Sequence, residues 1–417
     1  MAERLVIIGA GMAAGRLLDL LTEATPDAFD ITLFNAEPRG TYNRLMLSPV
    51  LAGELSYDEI VTHDADWYKR NSVTCRFGER VQGIDRTRQV VIADKGEQPY
   101  DKLVIATGSA PFIVPLPGHD LPGVIAYRDL EDTEEMVRLG DKPDARAVVI
   151  GGGLLGLEAA AGMAARGVLV TVVHLSGHLM NRQLDVAAAG LLQQALEARG
   201  IEIVCGANSK EIIAGDDGRV QSLLLEDGRR LDCDLLIMAV GIRPAIKLAQ
   251  EAGLATGRGV VVDDRLATSD PHIFALGECV EHDGAVFGLV APLFDQAKVL
   301  AKTLRGQAAQ YVNKDVSTKL KVTGCDLFSA GDFRDGAGRE CITYSDAEAQ
   351  VYKRLVIEND RLIGAVLYGD TADGGWFFSL IRAQTDVSAM RDMLVFGPAF
   401  QDVPPAATTP VLMEMPA

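Results

Sequence analysis

Followed for its apolar and polar positions, the chain makes the same passage twice. An unbroken apolar run at residues 5–8 leads into Gly9-Ala10-Gly11-Met12-Ala13-Ala14-Gly15, and a second run at 147–150 leads into Gly151-Gly152-Gly153-Leu154-Leu155-Gly156. Short apolar runs bounded by glycine read as strands covered on both faces, the kind that build parallel sheets. Each passage therefore predicts strand, tight turn and helix, the second helix over 154–166. Further strands are predicted at 31–34 and 102–105, then at 168–173 and 235–238, with a helix at 186–199. Both halves close on a Gly-x-x-Pro turn, Gly108 to Pro111 and Gly241 to Pro244. From about residue 316 the pattern turns to two-residue alternation, with strands at 319–322, 352–358 and 362–368 and a helix near 375–383. The expected fold class is α/β: two Rossmann-like three-layer dinucleotide-binding domains plus a C-terminal α+β interface domain. The expected boundaries are 1–112 with 266–315, then 113–265, then 316–400, and a tail at 401–417 rich in Pro, Ala and Thr.

A strand that runs into a glycine-only turn and then a helix sets backbone N–H groups and the positive helix end against a pyrophosphate. Glycine turns also serve packing alone, so the duplication is what predicts two dinucleotides side by side. After the first turn, Glu37 follows the strand at 31–34 and lies 22 residues past Gly15. That is close to the spacing of a carboxylate that accepts both ribose hydroxyls, and it suits an adenosine ribose without a 2′-phosphate. After the second turn the strand ends in His174, where the pattern prefers an acid, and Arg182 lies a few residues on. NADH and NADPH both stay open at that site.

Composition narrows the classes further. Of 417 residues 48% are hydrophobic and 24% charged, an ordinary globular balance. With 58 acidic against 40 basic side chains and a net charge of −18, no nucleic-acid partner is expected. The six cysteines, Cys75, Cys205, Cys233, Cys279, Cys325 and Cys341, are far apart and form no Cys-x-x-Cys. Neither an iron–sulfur centre nor a dithiol pair is suggested, and at Cys279 and Cys325 inert buried thiols are expected. The apolar start runs directly into the glycine turn and reads as a core strand rather than a signal peptide. With no apolar run of 18 residues, no membrane partner is expected and the cytoplasm is the expected location.

At this point the chain resembles the pyridine-nucleotide/FAD oxidoreductases of the glutathione-reductase structural class, in the branch without a redox disulfide. The segment Gly151 to Glu158, the stretch Thr268 to Glu278 and the two Gly-x-x-Pro ends carry that likeness. Within the class it is similar to the FAD/NADH portion of assimilatory nitrite reductase large subunits and to NADH electron-transfer subunits of assimilatory nitrate reductases. The segments involved are Tyr42 to Ser48, Tyr127-Arg128, Phe287 to Pro292, Ser317 to Lys321 and Tyr352 to Leu355. The stretch 42–56 contains no cysteine, which disfavours disulfide reductase and single-cysteine oxidase or peroxidase chemistry.

The resemblance implies that Gly9, Gly11, Ala14, Gly15 and Glu37 hold the ADP part of FAD, with Val81, Thr107, Gly108, Arg128 and Gly277 close to the cofactor. Arg44 would lie along the pyrophosphate or flavin edge. Glu278 stands where the family usually has Asp, toward the ribityl chain or the pyrophosphate. Leu289, Ala291 and Pro292 would present a helix start to the flavin pyrimidine edge. Gly151, Gly153, Leu155, Gly156, His174 and Gly241 would bind the nicotinamide dinucleotide, with Glu158 near its carboxamide; Glu158 and Arg44 are the catalytic candidates. The implied cofactors are FAD and NADH, with NADPH as the alternative. The implied function is that of an NADH-oxidising FAD subunit serving a molybdenum and iron–sulfur nitrate reductase catalytic subunit, or another iron–sulfur acceptor protein, because the chain is expected to end before any iron–sulfur segment. The alternatives are a ferredoxin or rubredoxin reductase, a donor to nitrite reductase, and, in a different class, a non-catalytic flavin-binding redox sensor or structural subunit. A homodimer or heteromer through the third domain is the family-based expectation.

Overall fold

A computed structural model describes residues 2–25, 28–314, 317–322 and 324–400; the tail expected at 401–417 lies outside the described residues. Two five-stranded parallel sheets dominate. In the first, Ile273–Ala275, Lys102–Ile105, Glu3–Ile8, Phe29–Asn35 and Val73–Phe77 lie side by side in that order. In the second the order is Glu202–Cys205, Leu169–His174, Arg146–Ile150, Leu235–Met238 and Val124–Ile125. The strand that opens each glycine turn is central in its sheet. Leu5, Ile7, Leu103 and Val104 are fully buried, as are Val149, Val172 and Ile237, which is why these strands read as continuous apolar runs rather than alternating ones.

Each turn feeds a helix, Met12–Ala24 and Leu154–Ala165. The helix expected at 186–199 spans Val186–Glu197. Before its returning strand each half also carries a three-stranded antiparallel sheet: Val81–Asp85, Val90–Ala93 and Gly96–Pro99 in one, Ser209–Ala214, Val220–Leu225 and Arg230–Asp232 in the other. The two Gly-x-x-Pro ends pair with each other. Ser109–Pro111 runs antiparallel to Ile242–Pro244, so the two crossings between the halves form one small sheet.

Two features depart from the expected boundaries. Ala249, Leu254, Val260 and Val262 pack in the first core, so the chain has already left the second unit at the paired strand Ile242–Pro244 rather than at 265. Conversely Tyr42, Leu47, Leu51 and Ile60, from the first segment, join the second core. The helix Leu47–Ala52 docks on Leu154–Ala165 through Gly162, where a Cβ would come within 2.7 Å of the Leu51 side chain. Glycine there is what lets the first unit reach into the second.

The C-terminal sheet is antiparallel, in the order Thr318–Val322, Cys325–Gly331, Arg361–Tyr368, Val351–Glu358, Arg339–Asp346. One face packs with helix Gly374–Ala383 in a separate core around Leu355, Leu367 and Phe377. Residues of the other face, Leu327, Tyr352, Val366 and Tyr368, close the second core. Among the described residues no helix is long and apolar enough to cross a membrane.

Candidate active site

The carboxyl ends of the parallel strands of both sheets open on a single cleft of about 1980 Å³, the place where open α/β sheets take ligands. Among the helix N-termini that reach it, those at Gly11, Gly153 and Leu289 have no side-chain cap hydrogen bond. Their first-turn N–H groups and positive dipole ends are therefore available to anionic groups. The two glycine turns are built alike. Gly9 and Gly151 have φ of +109° and +124°, and a Cβ at either would overlap the carbonyl of Ala106 or Ala239. Gly11 and Gly153 have nothing within 4 Å of a Cβ position, so only their missing side chains leave the backbone approachable from the cleft. A Cβ at Gly156 would overlap the Gly151 carbonyl, a packing role. Gly15 faces Thr41 and His63 at 3.4 Å, behind the helix. The shared roles of the first two glycines, Gly9 with Gly11 and Gly151 with Gly153, fit two dinucleotide pyrophosphates.

Charged groups line the first half of the cleft in pairs. Glu37 accepts a hydrogen bond from Tyr42 Oη at 2.8 Å and is bonded to Arg44. The other Arg44 amino group donates to the Arg128 carbonyl at 3.0 Å. Arg128 in turn pairs with Glu278, which also accepts from Ser109 Oγ at 2.9 Å. Val81, Thr107, Gly108 and Gly277 line the same region, with Thr107 Oγ1 donating to the Ala245 carbonyl at 2.8 Å. Ala14, Leu155, Gly241 and Leu289 also face the cleft; Ala291 and Pro292 lie in the first turn of Val290–Leu304 and are not on its wall.

At the second copy, His174 ends its strand with Nδ1 accepting the Gly152 N–H at 3.1 Å and Nε2 facing Asn181 Oδ1 at 3.3 Å. That assigns the proton to Nε2, and burial lowers the pKa below the ordinary histidine value. His174 is thus a neutral donor where the pattern prefers an acid, beside Asn181 and Arg182 on the cleft wall.

Glu158 stands one step behind the cleft wall. Its Oε2 accepts from Ser48 Oγ at 2.9 Å, and Ser48 Oγ lies 3.0 Å from Tyr127 Oη. Burial raises the Glu158 pKa, which the Ser48 bond opposes. Ser48 and Tyr127, which do line the cleft, carry no spacing signal in the sequence, because segments far apart in the chain bring them together. Nearby Asp132, which accepts the Arg128 N–H at 2.7 Å, is pushed up to about 6 by burial and by Asp129.

Paired dinucleotide cradles over one cleft define a flavin-linked pyridine-nucleotide reductase. Residues 3–303 match the family described as pyridine nucleotide-disulphide oxidoreductase, and residues 317–385 match the rubredoxin NAD+ reductase C-terminal domain. The chain is 44% identical to a nitrite reductase [NAD(P)H] of Bacillus subtilis over 96% of its own length and 50% of the relative's. It is 39% identical to the assimilatory nitrate reductase electron transfer subunit of the same organism, over 97% and 53%. It therefore spans about half the length of these curated relatives. A ferredoxin reductase of Rhodopseudomonas palustris superposes with a TM-score of 0.79 at 28% identity, covering 89% of this chain and 92% of that one. The chain belongs to the pyridine nucleotide-disulphide oxidoreductase family, and it is an NAD(P)H oxidoreductase that uses FAD. The family's name notwithstanding, all six of its cysteines are free.

Proposed function

We propose that this chain is the NADH-oxidising FAD electron-transfer unit that supplies a cytoplasmic assimilatory nitrate reductase. The observation that carries the reading is the pair of matched glycine cradles opening on one cleft. Flavin chemistry, when FAD is bound, turns a two-electron donor into a source of single electrons. The protein's part is to hold two rings in contact and keep water out, a task that needs no nucleophile, metal or dithiol. Gly9, Gly11, Glu37, Arg44, Arg128 and Glu278 are the residues we assign to FAD, and Gly151, Gly153 and His174 those we assign to the nicotinamide dinucleotide. The helix start at Leu289 is assigned to the flavin pyrimidine edge, where its dipole favours negative charge. The likeness to the Bacillus subtilis electron transfer subunit supports nitrate reductase as the destination.

A second reading, reduction of ferredoxin or rubredoxin, is favoured by the C-terminal domain match and the Rhodopseudomonas palustris structure; delivery to a nitrite reductase is favoured by the other Bacillus subtilis relative. The C-terminal domain is the surface we assign to self-association or to the catalytic partner. The test is anaerobic NADH oxidation with nitrate, with and without a purified molybdenum nitrate-reductase subunit. Nitrite formation that needs both proteins supports the first reading; flavin reduction without onward transfer rejects it in favour of the second. A flavin that NADH does not bleach rejects both and leaves a non-catalytic flavin-binding sensor.

A further inference from the structure

Glu158 is a half-buried carboxyl whose single hydrogen bond among the described residues comes from Ser48, and no lysine or arginine pairs with it. A carboxylate kept from water without a cation is costly, and burial raises its pKa accordingly. The Ser48 hydroxyl that contacts it also lies 3.0 Å from Tyr127 Oη, which donates to it because the single Ser48 proton is given to Glu158, and both residues line the cleft. The three residues come from three elements: Ser48 from helix Leu47–Ala52, Tyr127 from the segment before helix Leu130–Gly140, and Glu158 from helix Leu154–Ala165. They form a hydrogen-bonded line from the cleft to a proton-accepting group behind its wall.

Resting on the reading above, delivery of electrons one at a time leaves a proton to be placed: NADH + 2 Aox → NAD+ + H+ + 2 Ared. We infer that this proton leaves the cleft through the Tyr127 and Ser48 hydroxyls and is held on the Glu158 carboxylate before it reaches solvent. The proton arriving at Tyr127 Oη displaces that hydroxyl's own proton toward Ser48 Oγ, and the Ser48 proton moves to Glu158 Oε2, forming one O–H bond there as another breaks. No oxidant beyond the electron acceptor is required. The other titratable group beside this line is Asp132, pushed up to about 6 and bonded to the Arg128 backbone rather than to the line itself.

Glu158→Gln and Tyr127→Phe keep the shapes of the side chains and remove only the proton-accepting and proton-passing atoms. FAD content and thermal melting check that both variants fold. Redox-difference infrared spectra of the flavoprotein should contain a carboxylic-acid carbonyl band that shifts in heavy water and is missing from Glu158→Gln. Rapid reoxidation by ferricyanide should slow roughly 100-fold in both variants. A band that survives in Glu158→Gln, or reoxidation at the wild-type rate in both variants, overturns the relay. If wild-type flavin is not reduced by NADH at all, the electron-transfer reading itself has failed, a result separable from either of these.

Discussion

The two glycine turns divide their labour so sharply that adding one methyl group at adjacent glycines should have opposite consequences. Gly153 caps its helix with an extended backbone, and a Cβ there meets nothing within 4 Å. Alanine at this position costs at most about 1 kcal/mol, the usual loss at an N-cap. On the proposed assignment, however, the methyl stands where the pyrophosphate comes against the backbone. Gly151 and Gly156 differ: alanine at either drives a Cβ into a backbone carbonyl that cannot step aside, and at Gly151 the φ of +124° adds strain. Overpacking costs about 1–3 kcal/mol and a left-handed backbone about 1–2 kcal/mol more. With each kcal/mol worth roughly 2–4 °C of melting temperature, Gly151→Ala should melt some 4–20 °C lower and Gly156→Ala a few degrees to about 12 °C lower. Gly153→Ala should melt within a few degrees of wild type. Its flavin content should be intact while the NADH concentration for half-maximal anaerobic bleaching rises at least tenfold, about 1.4 kcal/mol. Gly11→Ala should invert the deficit by losing FAD. Wild-type NADH affinity in Gly153→Ala, or melting as low as that of Gly156→Ala, would refute the assignment.

Glu37→Gln should weaken FAD binding roughly 10- to 100-fold, since it removes the charge from hydrogen bonds worth about 1.5–3 kcal/mol; a variant that purifies fully flavinated counts against that role. If His174 lies at the ribose of the nicotinamide dinucleotide as proposed, His174→Glu sets a negative charge against a 2′-phosphate, and the NADPH-to-NADH ratio of catalytic efficiencies should fall roughly tenfold or more; an unchanged ratio removes His174 from cosubstrate choice. Asp101 is held down to about 2, chiefly by the Arg4 side chain, which donates at 3.0 Å through Nε, and also by the Arg4 backbone N–H at 2.8 Å. Because its folded pKa is depressed, its stabilisation is present above about pH 4 and lost as the pH falls toward 2. Both partners are more than a third exposed, so screening keeps this to about 1 kcal/mol; Asp101→Asn should flatten the acid limb of a denaturation profile by that amount.

What could be read from the sequence was whatever the backbone imposes locally. A strand covered on both faces must be apolar throughout, so residues 5–8, 103–105, 147–150 and 235–238 announced themselves, and a turn that admits no Cβ must be glycine. The antiparallel strands Val81–Asp85 and Ser209–Ala214 were missed because one side of each faces solvent and their short alternation is interrupted by bulges between Val81 and Gly83 and between Ser209 and Glu211. The early return of Ala249, Leu254 and Val260 to the first core was hidden for another reason. An apolar residue reports that it is buried, not which of two cores buries it. The line from Tyr127 through Ser48 to Glu158 was beyond reach because it depends on the register of three separate elements.

The pairing of Ser109–Pro111 with Ile242–Pro244 explains why duplication alone was so informative about function. Each half could have bound its dinucleotide on any free surface, and two independent cradles would leave two bound rings far apart. Because the two crossings hydrogen-bond to each other, with Phe112 N–H on the Gly241 carbonyl and Ala245 N–H on the Gly108 carbonyl, both at 2.9 Å, the glycine ends of both units are tied to one another at the cleft. Thr107 Oγ1 adds a bond to the Ala245 carbonyl across the same joint. The joint limits how the units can turn relative to each other, and so holds the two cradles facing a common space. For a reaction that consists of bringing two rings into contact, that constraint supplies what catalytic side chains supply elsewhere: the entropic cost of alignment is met when the chain folds.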